Sequence, residues 1–152
     1  MTLLIDRLLR KWNEIGLEVR AGAPVATLDD FEQRNRVILP PAMRALYMTA
    51  DGMDDSGQEL DIVRNIRFWP LSEIRLVSDA DVHSPLNYRN VFVFADYFYR
   101  SHFYGVSMAD PQHEQVLLVA DDKPLVIAAS FSDFVQLYID HPEYLCGGRQ
   151  AN

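Results

Sequence analysis

The sequence predicts a single α+β domain: N-terminal helices, a mostly antiparallel twisted sheet of about five to six strands, and a closing C-terminal helix. Three observations predict it. Apolar residues recur at three- and four-residue spacing over the first fifty positions and again after residue 130. Between those segments, β-branched and aromatic residues gather into short runs separated by turn formers. No repeat, low-complexity tract or linker interrupts the order. At 152 residues, 49% hydrophobic and 11% aromatic, the chain can build one substantial core and is cramped for two. The expected domain is 1–146, with 147–152 a flexible tail.

The elements follow in order. Leu4, Ile5, Leu8, Leu9, Trp12 and Ile15 share one helical face, so a helix is expected over residues 3 to 15, stopped by Gly16. Leu17 to Ala26, which holds Gly22 and Pro24, reads as a loop. At Thr27-Leu28-Asp29-Asp30 a hydroxyl-x-x-acid pattern can satisfy the free amides of a helix start, so a short second helix should begin there with Leu28 and Phe31 inward. Pro40-Pro41 forbids helix continuation but suits a first turn, so a third helix should start near Pro41. Met43, Leu46, Tyr47 and Ala50 form its buried stripe, and Gly52 is expected as the left-handed residue that closes it.

Ile66-Arg67-Phe68-Trp69 reads as a strand, followed by a single turn over Pro70 to Ile74 and a polar connection over residues 77 to 90. Val91-Phe92-Val93-Phe94-Ala95 is apolar at every position, as a central strand covered on both faces requires. Ser101 to Ser107, Gln115 to Ala120 and Leu125 to Ala128 should complete the meander, with turns at Asp110-Pro111 and Asp121-Asp122-Lys123-Pro124. Ser130-Phe131-Ser132-Asp133 repeats the capping pattern; Phe131, Phe134, Val135 and Tyr138 continue as a stripe that Pro142 ends.

Charge is unevenly spread. The net is −8, yet residues 1–50 carry seven basic and six acidic groups, while residues 51–152 carry seven basic and sixteen acidic ones. The C-terminal two-thirds therefore repels phosphate backbones and attracts basic proteins. No nucleic-acid partner is expected. No membrane partner is expected either, since no run approaches the roughly 18 apolar residues of a spanning helix. The start places Asp6, Arg7 and Arg10 among leucines, unlike a signal peptide, and the lone Cys146 has no partner for a disulfide, so a cytoplasmic setting is expected.

Chemical motifs are weak. His83, His102, His113 and His141 have no short-range His or Cys neighbours at metal-site spacing, so no metal is expected. Ser101, His102 and Asp96 could be assembled into a hydrolytic triad, but no nucleophile elbow accompanies them. Gly147-Gly148 is not a phosphate loop, and Cys146 has only Arg149 nearby to lower its pKa. No catalytic residue and no cofactor are expected. The informative polar feature is the acidic loop Asp51, Asp54, Asp55, Glu59 and Asp61, which does not follow calcium-loop spacing. It suits either a solvated loop or a protein-binding surface, to which Asp121 and Asp122 of the later turn would add charge. Anchors could come from Tyr97 and Tyr99, which strand alternation places on one face with Phe98 on the other, and from nearby Phe103-Tyr104. A hydrogen-bonded tyrosine at a core edge remains the alternative.

The run from Phe31 to Tyr47, through Val37-Ile38-Leu39-Pro40-Pro41 to Asp51-Gly52, resembles the signature of the SMI1/KNR4 (SUKH) superfamily: a short helix, an aliphatic-Pro step, an aromatic- and Leu-bearing helix and a cap, with Asp51 where Asn is usual. Phe68-Trp69-Pro70-Leu71-Ser72-Glu73-Ile74, Val93-Phe94-Ala95-Asp96, Val116 to Val119 and Ser130 to Phe134 follow in the order this family shows, so the likeness spans about residues 28 to 140. The resemblance implies an intracellular, non-catalytic binding module. Many such proteins are immunity proteins that neutralise a cognate toxin, here a basic one such as a nuclease; others are regulatory scaffolds. A hydrolase using Asp96 and His102 is the third and weakest expectation.

Overall fold

The computed structural model describes residues 2–53, 65–79, 89–98, 100–108, 114–119 and 125–145. Its elements are α1 (Thr2–Glu14), α2 (Val25–Asn35), α3 (Pro41–Thr49), β1 (Ile66–Phe68), a 3-10 turn (Leu71–Glu73), β2 (Arg75–Leu76), β3 (Val91–Tyr97), β4 (His102–Ser107), β5 (Val116–Val119), β6 (Leu125–Ala128), α4 (Phe131–Asp140) and a final 3-10 turn (Pro142–Leu145). The α+β fold anticipated from the sequence is the one observed.

The sheet is antiparallel throughout, in the order β1-β3-β4-β5-β6, with the two-residue β2 also pairing β3. β3 is central: Val91 through Asp96 are all buried, as its unbroken apolar run requires. β1 lies beside its far half, with Arg67 opposite Asp96, while β4 runs along its other edge, with Phe103 opposite Asp96 and His102 opposite Tyr97. Pairing of β3 with β4 shifts by one residue between Val93 and Ala95, a bulge at Phe94. Gly105 sits opposite Val93, where a Cβ would meet Val91 Cγ1 at 2.5 Å.

Aromatic side chains knit the helices to the sheet. Phe94 meets Phe131 and Phe134 of α4 edge-on at 5.2 and 5.1 Å, and Phe31 of α2 meets Phe92 at 5.9 Å. Phe68 contacts Trp12 of α1 and Tyr138 of α4 at 5.3 and 5.0 Å. Trp12 Nε1 also donates to the Tyr138 hydroxyl at 2.8 Å, giving a buried polar tie between the first and last helices. Each such ring pair adds about 0.5–1.5 kcal/mol beyond simple area burial.

Helix ends show which local signals prevailed. Ser130 Oγ accepts from Asp133 N–H at 3.0 Å, the cap its pattern predicts. Pro40 caps α3 with Pro41 at its first position, also as predicted. The Thr27 pattern does not start α2: the helix begins at Val25, because Pro24 takes the N-cap position and its carbonyl accepts from Thr27 N–H at 2.9 Å. Gly52 is left-handed (φ +67) but does not close α3, which ends at Thr49 with Ala50 extended. Gly52 instead permits close approach: a Cβ there would lie 2.6 Å from the Trp69 carbonyl.

Tyr97 ends its strand. Phe98 turns to φ 47 and is half exposed, so alternation stops there and the expected sorting of Tyr97 and Phe98 to opposite faces of one strand does not apply. Phe103 and Tyr104 are buried and belong to the core, and the Tyr104 hydroxyl donates to the Leu145 carbonyl at 2.9 Å.

Candidate functional site

Two polar arrangements stand out, one sealed and one open. The sealed one arises because β1 and β3 pair with Arg67 opposite Asp96, both buried. Arg67 donates to Glu73 through Nη2 at 2.9 Å, to the Met53 carbonyl through Nη1 at 2.9 Å, and lies with Nε 3.5 Å from Asp96 Oδ2. Trp69 Nε1 donates to the same Asp96 oxygen at 2.6 Å, and the Arg100 backbone N–H donates to Oδ1 at 3.0 Å. The guanidinium groups of Arg67 and Arg100 stand 5.7 and 5.4 Å from the Trp69 ring. The neighbouring Tyr47 hydroxyl donates to the Trp69 carbonyl at 2.6 Å, and burial pushes its pKa well above that of a free phenol. This centre spends its charges on itself and holds the end of α3 against β1.

That arrangement also settles the geometry of the paper triad. Asp96 is opposite Phe103 and His102 is opposite Tyr97, so Asp96 and His102 project to opposite faces of the sheet. Ser101 Oγ donates to the Tyr97 carbonyl at 2.8 Å, leaving its 3.2 Å approach to His102 Nδ1 without a proton to pass on. The three side chains are not brought together. Among the described residues, no group of three His, Cys, Asp or Glu side chains is placed to hold a metal ion.

The open arrangement lies where α2 turns into α3. Arg36 adopts φ 55 at the end of α2, and Val37-Ile38-Leu39 then leads, outside any helix or strand, to Pro40. A cleft of about 440 Å³ opens along Asp29, Glu32, Arg36, Val37, Ile38 and Met108. Ile38, 66% exposed, stands at its edge. Glu32 accepts from the Leu39 N–H at 2.7 Å and from Arg44 at 3.1 Å, while Asp29 accepts from Arg44 at 2.7 Å. The hydrogen bond to Asp29 raises the Arg44 pKa further above its ordinary value. Behind the cleft, a cavity of about 140 Å³ lies between the Leu39-Pro40-Pro41 step and Met108, with Glu114 in its lining.

Of the expected partner-binding residues, the structure places two. Asp51 is largely buried: Oδ1 accepts from Leu71 N–H at 2.7 Å and Oδ2 lies 4.0 Å from Arg20 Nε, so this carboxylate helps hold the fold. Tyr97 is half-buried beside Phe98 and His102, with ring centroids 6.3 and 5.9 Å away. Asp54, Asp55, Glu59, Asp61, Tyr99, Asp121 and Asp122 lie outside the described residues, as do His83, His113, Cys146 and the tail 147–152. Other carboxylates of the acidic two-thirds are matched internally: Glu73 and Asp96 by Arg67, and Asp140 by Arg7 at 2.9 Å. Sequence reasoning missed Arg67, Glu73 and Glu114; the signal for Arg67 was a cation inside the otherwise apolar run Ile66 to Trp69.

No helix among the described residues is long and apolar enough to cross a membrane. None of the curated proteins compared with the chain matches it. A family model does, over residues 22–137, which takes in everything from the loop before α2 to most of α4. The match includes the α2–α3 step, the Asp51-Gly52 junction and the Arg67–Asp96 centre, and on that extent the chain belongs to the SMI1/KNR4 family (SUKH-1).

Proposed function

We propose that this protein is a non-catalytic binding module of the immunity type, which neutralises a cognate basic toxin domain, such as a nuclease, by occupying its substrate face in the cytoplasm. The observation that carries the reading is the charge asymmetry: sixteen acidic against seven basic groups over residues 51–152, in a chain of a family whose members include immunity proteins. A nuclease must present cationic groups to phosphates, and a preformed anionic surface competes for them. The acidic loop Asp54, Asp55, Glu59 and Asp61, with Asp121, Asp122 and Tyr99, supplies the charge and an aromatic anchor in this account, and Tyr97 borders it in sequence.

The self-paired Arg67–Asp96 centre supports a structural rather than catalytic role for the most buried charges. The test is to mix the purified chain with the product of the adjacent toxin-like gene and look for a complex by analytical ultracentrifugation. A 1:1 complex at micromolar concentration, with loss of the toxin's activity, is expected. No complex with that product, but capture of a regulatory protein unrelated to toxins, would replace this reading with a scaffold role.

A further inference from the structure

The cavity behind the α2–α3 cleft has an unusual chemistry. Its walls are Ile38, Leu39, Pro40, Pro41, Ser107 and Met108, and among the described residues the one ionisable side chain in its lining is Glu114. Glu114 Oε2 is buried and has no hydrogen-bond partner. A buried carboxylate oxygen left unsatisfied costs stability, so its presence calls for an explanation outside the free chain's own contacts. Burial, and then the nearby charge of Asp133, raise the Glu114 pKa, as for a carboxylate with no cation beside it among the described residues.

The approach to this cavity is chemically distinct from the cavity itself. Ile38 and Met108 line both the cavity and the outer cleft, so the two adjoin. On the outer cleft Asp29 and Glu32 are matched by Arg44, and Arg36 adds a positive charge. The rim is therefore close to neutral, and the uncompensated charge lies inside, at Glu114. A mostly apolar cavity with a carboxylate in its wall suits a guest with an aliphatic stem and a cationic head.

We infer that the cavity receives a basic side chain of the partner protein, its methylenes against Ile38, Pro40 and Met108 and its head donating to Glu114 Oε2. This rests on the proposed basic partner and names one place where that partner is held. A single free oxygen can be met by a lysine ammonium; an arginine fork would take both carboxylate oxygens. Such a buried, hydrogen-bonded pair acts chiefly on dissociation, whereas the acidic loop acts on encounter.

The experiment uses two probes that need no knowledge of the partner, n-butylammonium and n-butylguanidinium chloride, titrated into the ¹⁵N-labelled full chain at low salt. The expected result is saturable shifts at the amides of Leu39, Ser107, Met108 and Glu114 for at least one probe. Glu114→Gln, checked for folding by its thermal transition, should weaken that probe at least tenfold, and n-pentanol should not reproduce the shifts. Arg36→Ala should leave the site intact and tighten binding modestly by removing a like charge. Absence of saturable shifts from both probes, or equal binding by Glu114→Gln, overturns the inference. So does an unchanged dissociation rate of Glu114→Gln from a basic partner that the wild-type chain binds; that result would leave the proposed function standing. Failure of every basic partner to bind, with the probes still recognised, would instead remove the proposed function and the protein origin of the guest together.

Discussion

Asp96→Ala is the substitution whose cost follows most directly from the structure. The Asp96 carboxylate is 2% exposed and takes hydrogen bonds from Trp69 Nε1 and the Arg100 amide, with Arg67 Nε 3.5 Å away. Removing it leaves the buried indole N–H without an acceptor, which costs about 1–3 kcal/mol. Breaking a buried ion pair by deleting one partner costs about 3–5 kcal/mol, but Arg67 keeps Glu73 and the Met53 carbonyl, so its share falls well below that range. These losses concern one network and do not simply add, so the expected total is about 3–4 kcal/mol. Urea unfolding followed by circular dichroism should show it as a lower midpoint at unchanged slope. Arg67→Met combined with Asp96→Leu should recover only the ion-pair share of the loss, because the Trp69 indole N–H still lacks its acceptor in the double variant. A value for Asp96→Ala within about 1 kcal/mol of wild type would refute the reasoning, since that is what an ordinary surface change can cost.

Gly52→Ala forces a side chain into the left-handed region and places its Cβ 2.6 Å from the Trp69 backbone, so it should cost more than the roughly 1 kcal/mol of a Gly-to-Ala conformational change alone and lower the thermal midpoint. Ser130→Ala removes the α4 cap and should cost about 1 kcal/mol, while Ser130→Asn, which keeps a side-chain acceptor, should cost little; equal losses for the two would mean the side-chain oxygen is not the cap. Glu114→Gln should show a pH-dependent gain. Burial raises the folded Glu114 pKa above its unfolded value, so the stability tied to its bound proton is complete below the unfolded value and is lost as pH rises through the folded one. The substitution should therefore stabilise the protein near pH 7, by less than about 1 kcal/mol because the side chain still reaches water, and the gain should shrink towards pH 4. Thermal midpoints of both proteins at the two pH values test this, and a gain that grows in acid would contradict it.

Much of the fold was legible because local chemistry and tertiary need agreed. The run Val91 to Ala95 is apolar at each position and became the central strand; Pro41 and Ser130 started helices where their chemistry allows. Two similar capping patterns nevertheless diverged. Ser130 caps α4, whereas Thr27 falls inside α2 because Pro24, with its φ already fixed at −60, nucleates the helix earlier. The strand break after Tyr97 was not legible, since Phe98 and Arg100 both adopt positive φ, a region that side chains other than Asn or Asp seldom enter. The Arg67–Asp96 pair was hidden for a different reason: each residue was visible, but only the register of β1 on β3 brings them together. Glu114 was likewise an ordinary glutamate until the α2–α3 step packed beside Met108.

The most direct measurement is the salt dependence of association between this chain and its basic partner, followed by stopped-flow fluorescence for the wild type and for Asp54→Lys combined with Asp55→Lys. Electrostatic docking predicts that the wild-type on-rate falls steeply as ionic strength rises, and that the charge-reversed variant is slowed most when salt is lowest. On-rates that are flat with salt, or the same for the two proteins at low salt, would contradict the account.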